Sequence, residues 1–201
     1  TQSLVDAYEM TNGKTIDNAS SGYNPLQPSQ PPAPRLQATV FYPGSPYTSD
    51  LGYGKFYDPL SDNPQTPDHW GGNNASPTAY GLKKYTPVIA DFPDDRNNAG
   101  LNIILIRYAE IKLMDAEAKI EAGKIDQSVY QDINDVRTRP SVNMPPVDEA
   151  VYNSQQTLRT LVRRERRVEF AFEGLRWFDI QRWKIGDKVM DGQVTGSRQC
   201  A

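Results

Sequence analysis

The sequence predicts a mainly α-helical chain in which a helix hairpin is joined to a loop-rich subdomain with short β-strands, and three observations lead there. Thirteen of the 16 prolines, nine of the 14 glycines and eight of the 11 tyrosines fall in residues 1–100, a distribution that breaks long helices. From residue 104 onward apolar residues recur at spacings of three and four, the period of an amphipathic helix. Capping and stop residues then cut that stretch into helix-length pieces. With 201 residues the chain suffices for one globular unit, 1–201, with a loop-rich part over 1–100 and a helical part over 101–201.

In the loop-rich part, residues 37–42 and 81–85 are the strand candidates, while Tyr23-Asn24-Pro25 and Tyr42-Pro43-Gly44 carry turn chemistry. Between them lies an irregular stretch bearing Tyr47, Tyr53, Phe56, Tyr57, His69, Trp70 and Tyr80. Loops of this length are functional or disordered more often than incidental. The first long helix is expected from about residue 104, with Ile106, Ala109, Leu113, Ala116 and Ile120 on one face; Tyr108, Ile111 and Ala118 widen that face, which predicts burial on several sides. Gly123 suits a left-handed stop and Asp126 an N-cap, so a second helix is expected over 127–139, halted by Pro140. The two form a hairpin of the tetratricopeptide kind, and one such pair cannot bury itself alone.

After a loop over 141–153, Ser154 can cap a helix whose apolar stripe is Leu158, Leu161, Val162, Val168 and Phe172, running to about Gly174. Glu165 sits in the middle of that stripe. A carboxylate there costs several kcal/mol unless paired, so an arginine partner is expected, with Arg107, Arg176 and Arg182 as candidates. A short final helix over 175–184 carries Trp177, Phe178, Ile180 and Trp183.

Composition narrows the chemistry. A net charge of −3 gives no positive field for nucleic acid. Cys200 and His69 are each the only residue of their type, which removes cysteine clusters, histidine-based metal sites and the serine or cysteine triads that need an oriented imidazole. No cofactor motif is present. Asp58, Asp62, Asp91, Asp94 and Asp95 lack EF-hand spacing, so no metal is expected, and the adjacent pair Asp94 and Asp95 lacks the fixed separation of a glycosidase acid and base. The chain reads as a non-enzyme. No stretch reaches the roughly 20 apolar residues of a transmembrane helix.

Three groups of residues carry a resemblance to a known family. Arg107-Tyr108-Ala109-Glu110 with Leu113-Met114 and Ala116-Glu117-Ala118 is the first, and Ile133-Asn134 with Val136-Arg137 and Arg139 the second. The third is Glu165-Arg166-Arg167, Glu169-Phe170, Glu173-Gly174, Arg176-Trp177-Phe178-Asp179 and Arg182-Trp183. Together with residues 5–14 and 80–85 they resemble the SusD/RagB family of Bacteroidetes outer-membrane nutrient-binding lipoproteins. Where that family usually reads Arg-Asp-Pro-Arg, this chain has Pro32-Ala33-Pro34-Arg35. What is present resembles roughly the C-terminal 40 to 50 per cent of a member.

The resemblance implies a SusD-like fold of tetratricopeptide-like repeats, glycan or sometimes peptide ligands, and a SusC-like TonB-dependent transporter as partner. It also implies a surface-exposed lipoprotein of the outer membrane, held by a lipidated cysteine that is absent from these residues. Ligand contact is expected from loop aromatics and their polar neighbours, Trp70 first, with Tyr47, Tyr53, Tyr57 and Asn73, because aromatic faces stack on sugar rings. Glu165, Arg107, Arg176, Arg182, Trp177 and Trp183 are expected to act structurally, as a charge network and as fillers of the helix junction. The alternative is a scaffold half that packs on the repeats and the transporter and touches no ligand.

Overall fold

The computed structural model describes residues 1–24, 33–46, 56–66, 68–73, 75–86 and 102–197. Two short helices, α1 (Gln2–Val5) and α2 (Pro34–Thr39), precede an antiparallel pair, β1 (Val40–Phe41) with β2 (Gly81–Leu82). Then follow α3 (Tyr108–Glu121), α4 (Gln127–Arg137), α5 (Gln155–Glu169), α6 (Leu175–Trp183) and the short α7 (Gly186–Val189). The fold is mainly α, as expected.

Local chemistry sets most boundaries. Pro34 occupies the first turn of α2, where its fixed φ suits a helix and its missing N–H costs nothing. Residues 34–39 are therefore helical, and the strand expected over 37–42 shrinks to Val40–Phe41. The second expected strand is likewise cut to Gly81–Leu82, since Tyr85 takes a left-handed φ of 68°. Gly81 faces Phe41, and a Cβ added there would lie 3.2 Å from the Phe41 Cβ, so the two strands meet where a glycine permits it.

The helix expected from residue 104 starts four residues later, at Tyr108. Arg107 is its extended N-cap, and the β-branched Ile103, Ile104 and Ile106 suit the extended backbone before it. Gly123 turns the chain at φ 69°, and Asp126 caps α4 by accepting from Ser128 N–H. Ser154 and Thr157 form a capping box at the start of α5.

The main core joins Leu113, Ala116 and Ile120 of α3, Val129, Ile133 and Val136 of α4, and Leu158, Leu161 and Val162 of α5, with Phe170 closing the end. Burying each large aliphatic side chain stabilises by about 1.5–3 kcal/mol. A second cluster packs Tyr8, Leu36 and Val40 on Val168, so α5 contacts both parts of the chain. Two expectations change here. α3 is buried on one face only, leaving Tyr108, Ile111 and Ala118 outside. Phe172, placed on the α5 stripe by periodicity, lies beyond the helix at φ 64° and is exposed.

Glu165 is 1 % exposed, and its partners are Arg35 and Arg137. Arg35 Nη2 lies 2.8 Å from its Oε2, and Arg137 Nη1 donates to its Oε1. The expected candidates Arg107, Arg176 and Arg182 are engaged elsewhere: Arg107, at the N-cap of α3, pairs with Glu169 a turn further along α5, while Arg182 and Arg176 belong to α6. The pairing continues at i+4 and i+8. Glu169 meets Arg35 at 3.2 Å, Arg107 at 2.7 Å and Arg139 at 2.6 Å; Glu173 accepts from Arg107 Nε at 2.8 Å and from Lys84. At the other end Arg137 also donates to Glu9 at 2.7 Å, and Arg164 donates to Glu9 as well.

Burial alone would raise the carboxyls of Glu165, Glu169 and Glu173, but the facing cations outweigh it. Arg35 and Arg137 depress Glu165; Arg139, Arg107 and Arg35 depress Glu169; Arg107 and Lys84 depress Glu173, each below the ordinary 4.5. A group depressed on folding adds stability that is fully present above its unfolded value and is lost as pH falls through its folded one.

Two predictions follow from this ladder. Urea midpoints should hold steady from pH 7 to pH 5 and drop progressively below about pH 4.5; Glu169→Gln should flatten that drop, and an unchanged acid limb in the variant would remove the assignment. Glu165→Ala should cost about 3 kcal/mol by strip-down of the pairing of two buried guanidiniums, read as a shifted urea midpoint. A loss under about 1 kcal/mol, within the range of ordinary surface changes and their scatter, would mean that Glu9 and Glu169 hold both guanidiniums without it.

Candidate functional site

The residues expected to contact a ligand separate in the structure. Tyr47 and Tyr53 lie outside the described residues. Tyr57 is 6 % exposed and packs tilted on Phe41 with ring centroids 5.9 Å apart; burial, then the charge of Asp68, pushes its phenol up to about 12. It belongs to the minicore under the loop, which corrects the expectation that it faces a ligand.

Trp70 is 60 % exposed, although the backbone that carries it is held at several points. Its N–H donates to Ser61 O at 3.3 Å, His69 N–H to Thr66 O at 3.0 Å and Gly72 N–H to His69 O at 3.0 Å. His69 Nδ1 lies 2.8 Å from the same Thr66 O; a carbonyl only accepts, so Nδ1 carries the proton. Asn63 turns the chain locally, its Oδ1 accepting from Gln65 N–H at 3.0 Å, and Gly71 takes φ 83°. Asn73 is exposed two residues beyond. The arrangement is an aromatic plane presented to solvent from a pinned loop, flanked by amide and carboxylate side chains.

The charged run from Arg163 to Trp183 does different work. Arg166 donates to Asp179 at 3.0 and 3.1 Å. Arg182 adds a 2.8 Å bond to Asp179 and grips Glu117 of α3 with both terminal nitrogens, at 2.7 and 2.6 Å. The Trp183 indole N–H donates to that Glu117 at 2.5 Å. Guanidiniums of Arg182, Arg163 and Arg176 lie 4.6, 4.8 and 5.8 Å from the Trp183 ring, within cation–π range. Arg107, Arg182 and Trp183 thus tie α3, α5 and α6 together, while the Arg176 guanidinium stays on the Trp183 ring within α6. Trp177 does neither: it is 52 % exposed and fills no junction among the described residues.

The ladder opens into a cavity of about 300 Å³ bordered by Arg107, Arg139, Lys84 and Glu169. Arg107 places all three nitrogens on Glu169 and Glu173, so its guanidinium is held within the ladder. Sequence reasoning missed Arg35, Arg137 and Glu9 as ladder members. Their only signal was their place in the segments that carry the resemblance, because an ion pair across 128 residues leaves no periodic trace. Among the described residues no group of three or more His, Cys, Asp or Glu is arranged to hold a metal ion, and no helix is long and apolar enough to cross a membrane.

Comparisons with known proteins agree with this architecture. Two SusD-like proteins of Formosa agariphila are 40 % identical over 113 residues and 35 % over 101, covering 54 % and 49 % of this chain and 22 % and 20 % of their own lengths. A SusD-like carbohydrate binding protein from Bacteroides fragilis superposes with a TM-score of 0.76 at 32 % identity, over 98 % of this chain and 37 % of that one. A second SusD-like protein from Bacteroides fragilis gives 0.69 at 32 % identity, over 92 % and 36 %. The chain therefore spans little more than a third of the length of the solved relatives it matches. The SusD family matches residues 1–200, nearly the whole chain, and the chain belongs to that family.

Proposed function

We propose that this chain is the part of a non-catalytic, surface-exposed outer-membrane lipoprotein that captures oligosaccharide and passes it to a SusC-like TonB-dependent transporter, with Trp70 as the stacking platform. The observation that carries the reading is the 60 % exposure of Trp70 on a loop whose backbone is pinned. A tryptophan that merely plugged its own loop would be buried, as Tyr57 is. A preordered aromatic plane loses little entropy on binding, and Asn73 and the neighbouring carboxylates supply bonds to hydroxyls. Family membership and the carbohydrate-binding relative from Bacteroides fragilis support the ligand class.

The non-catalytic reading is supported by family membership. The ladder carboxyls do not suit a glycosidase acid either: that role needs a carboxyl raised enough to give up a proton near neutrality, whereas Glu165, Glu169 and Glu173 are depressed by the cations that face them.

Titration calorimetry of the protein purified from its native gene, against a panel of neutral oligosaccharides, tests the reading. Trp70→Ala should weaken the best ligand about tenfold, in line with the roughly 0.5–1.5 kcal/mol of an aromatic stacking contact, while Trp70→Phe keeps most of the affinity. Unchanged affinity in Trp70→Ala, with co-purification of the transporter still dependent on these residues, would favour the scaffold reading. Release of reducing ends by the purified protein would overturn the non-catalytic one.

A further inference from the structure

The cavity of about 300 Å³ beside the ladder takes no residue of the Trp70 loop into its wall. Four cations border it, Arg35, Lys84, Arg107 and Arg139, against two carboxylates, Glu169 and Glu173. At the other end of the ladder Arg137 and Arg164 are matched by Glu9 and Glu165. Among the described residues, the two positive charges in excess therefore fall at the cavity.

Two of these cations keep donors uncommitted. Arg139 gives Nε to Ser141 Oγ at 3.1 Å and Nη2 to Glu169 at 2.6 Å, and its Nη1 has no hydrogen bond among the described residues. Lys84 donates to Glu169 O at 3.0 Å and to Glu173, which leaves the third hydrogen of its ammonium. Both side chains stay partly open to water, Arg139 at 34 % and Lys84 at 23 %. Because Ser141 Oγ accepts from Arg139, its own O–H remains to donate. Val142 and Val168 give the wall an apolar side.

We infer that this cavity binds one acidic sugar residue, a hexuronate, by its carboxylate. The carboxylate accepts from Arg139 Nη1 and from the third hydrogen of Lys84, two charge-assisted bonds, and it neutralises charge that the ladder leaves unmatched while breaking no ladder bond. Arg35 and Arg107 add to the attracting field. A multiply charged anion fits less well, since Glu169 and Glu173 line the same space and repel it. The volume lies at the low end of the roughly 300–1,000 Å³ of small-molecule sites, which suits one ring and not a chain. A sugar ring also matches the rest of the wall, with a hydroxyl for Ser141 and a C–H face for Val142 and Val168.

Titration of the protein purified from its native gene with methyl glucuronide, followed by ligand-observed NMR, tests this. The expected result is saturable binding, about tenfold tighter than that of the glucuronide methyl ester, which has the same ring without the charge, or of inorganic phosphate. Arg139→Gln should weaken it about tenfold. That variant also removes a ladder bond, so Ala38→Phe serves as the second: Ala38 is exposed on α2 at the rim of the cavity and makes no ladder contact. There the larger side chain should abolish glucuronide binding and leave the urea midpoint unchanged. No binding of the glucuronide, equal binding of its methyl ester or of phosphate, or undiminished binding in Ala38→Phe would each overturn the inference. The Trp70 reading is tested with neutral sugars, so either can fail without the other.

Discussion

The burial of Glu165 and Glu169 on α5 is the constraint on which the other elements depend. Two carboxylates a turn apart are removed from water, and each requires a cation at hydrogen-bonding distance. The cations come from α2 (Arg35), the end of α4 (Arg137), the N-cap of α3 (Arg107) and the loop after α4 (Arg139). Every one of those elements must reach α5 in a particular register for the charges to meet. A hydrophobic core of Leu, Val and Ile tolerates sliding and repacking; a bidentate guanidinium does not. The ladder therefore contributes less to net stability than its contact list suggests, since desolvation offsets much of the attraction, and more to holding the loop-rich part in one position on the helices.

That division explains why the most recognisable stretch of sequence is poorly suited to binding. From Arg163 to Trp183 most charges are answered internally: Arg163, Arg166 and Arg182 by Glu121, Asp179 and Glu117, Arg164 by Glu9, and Glu165, Glu169 and Glu173 by the ladder cations, while the Trp183 ring is flanked by three guanidiniums. A ligand there would have to displace bonds already made in a partly buried setting, where each is costly to break. The loop at Trp70 has the opposite character. Its backbone bonds satisfy the peptide, and the Trp70 ring stays exposed above them.

How much of this was legible follows from the range of each interaction. Helix starts and stops are local, and Gly123, Asp126 and Ser154 marked them in the sequence as they stand in the structure. The buried acid at 165 was legible too, because periodicity put a carboxylate on an apolar stripe. The identity of its partners was not: Arg35 and Arg137 reach it from 130 and 28 residues away, and nothing local distinguishes them from Arg107 or Arg182. The strand over 37–42 failed for a related reason, since β-propensity at Val40 and Phe41 was read back across a turn that Pro34 had already committed to helix. Loop exposure was the least legible of all. Trp70 and Tyr57 sit in similar composition, and only the packing of Phe41 against Tyr57 separates the buried ring from the open one.

The apolar excess of α3 brings these strands together. Periodicity assigned it a face too wide for one neighbour, and in the structure the hairpin with α4 and the contact with α5 cover only Leu113, Ala116, Glu117 and Ile120. The remaining apolar positions are not random surface, since Tyr108, Ile111 and Met114 repeat at helical spacing and adjoin the apolar side of α6. On the same helix the surface charges are arranged with care: Lys112 and Lys119 pair with Asp132 of α4, and Glu117 is gripped by Arg182. Most charged residues of α3 thus serve its neighbours, while its second stripe is apolar and exposed. The width of the predicted face and the bareness of the observed one are thus the same fact, read first from sequence and then from structure.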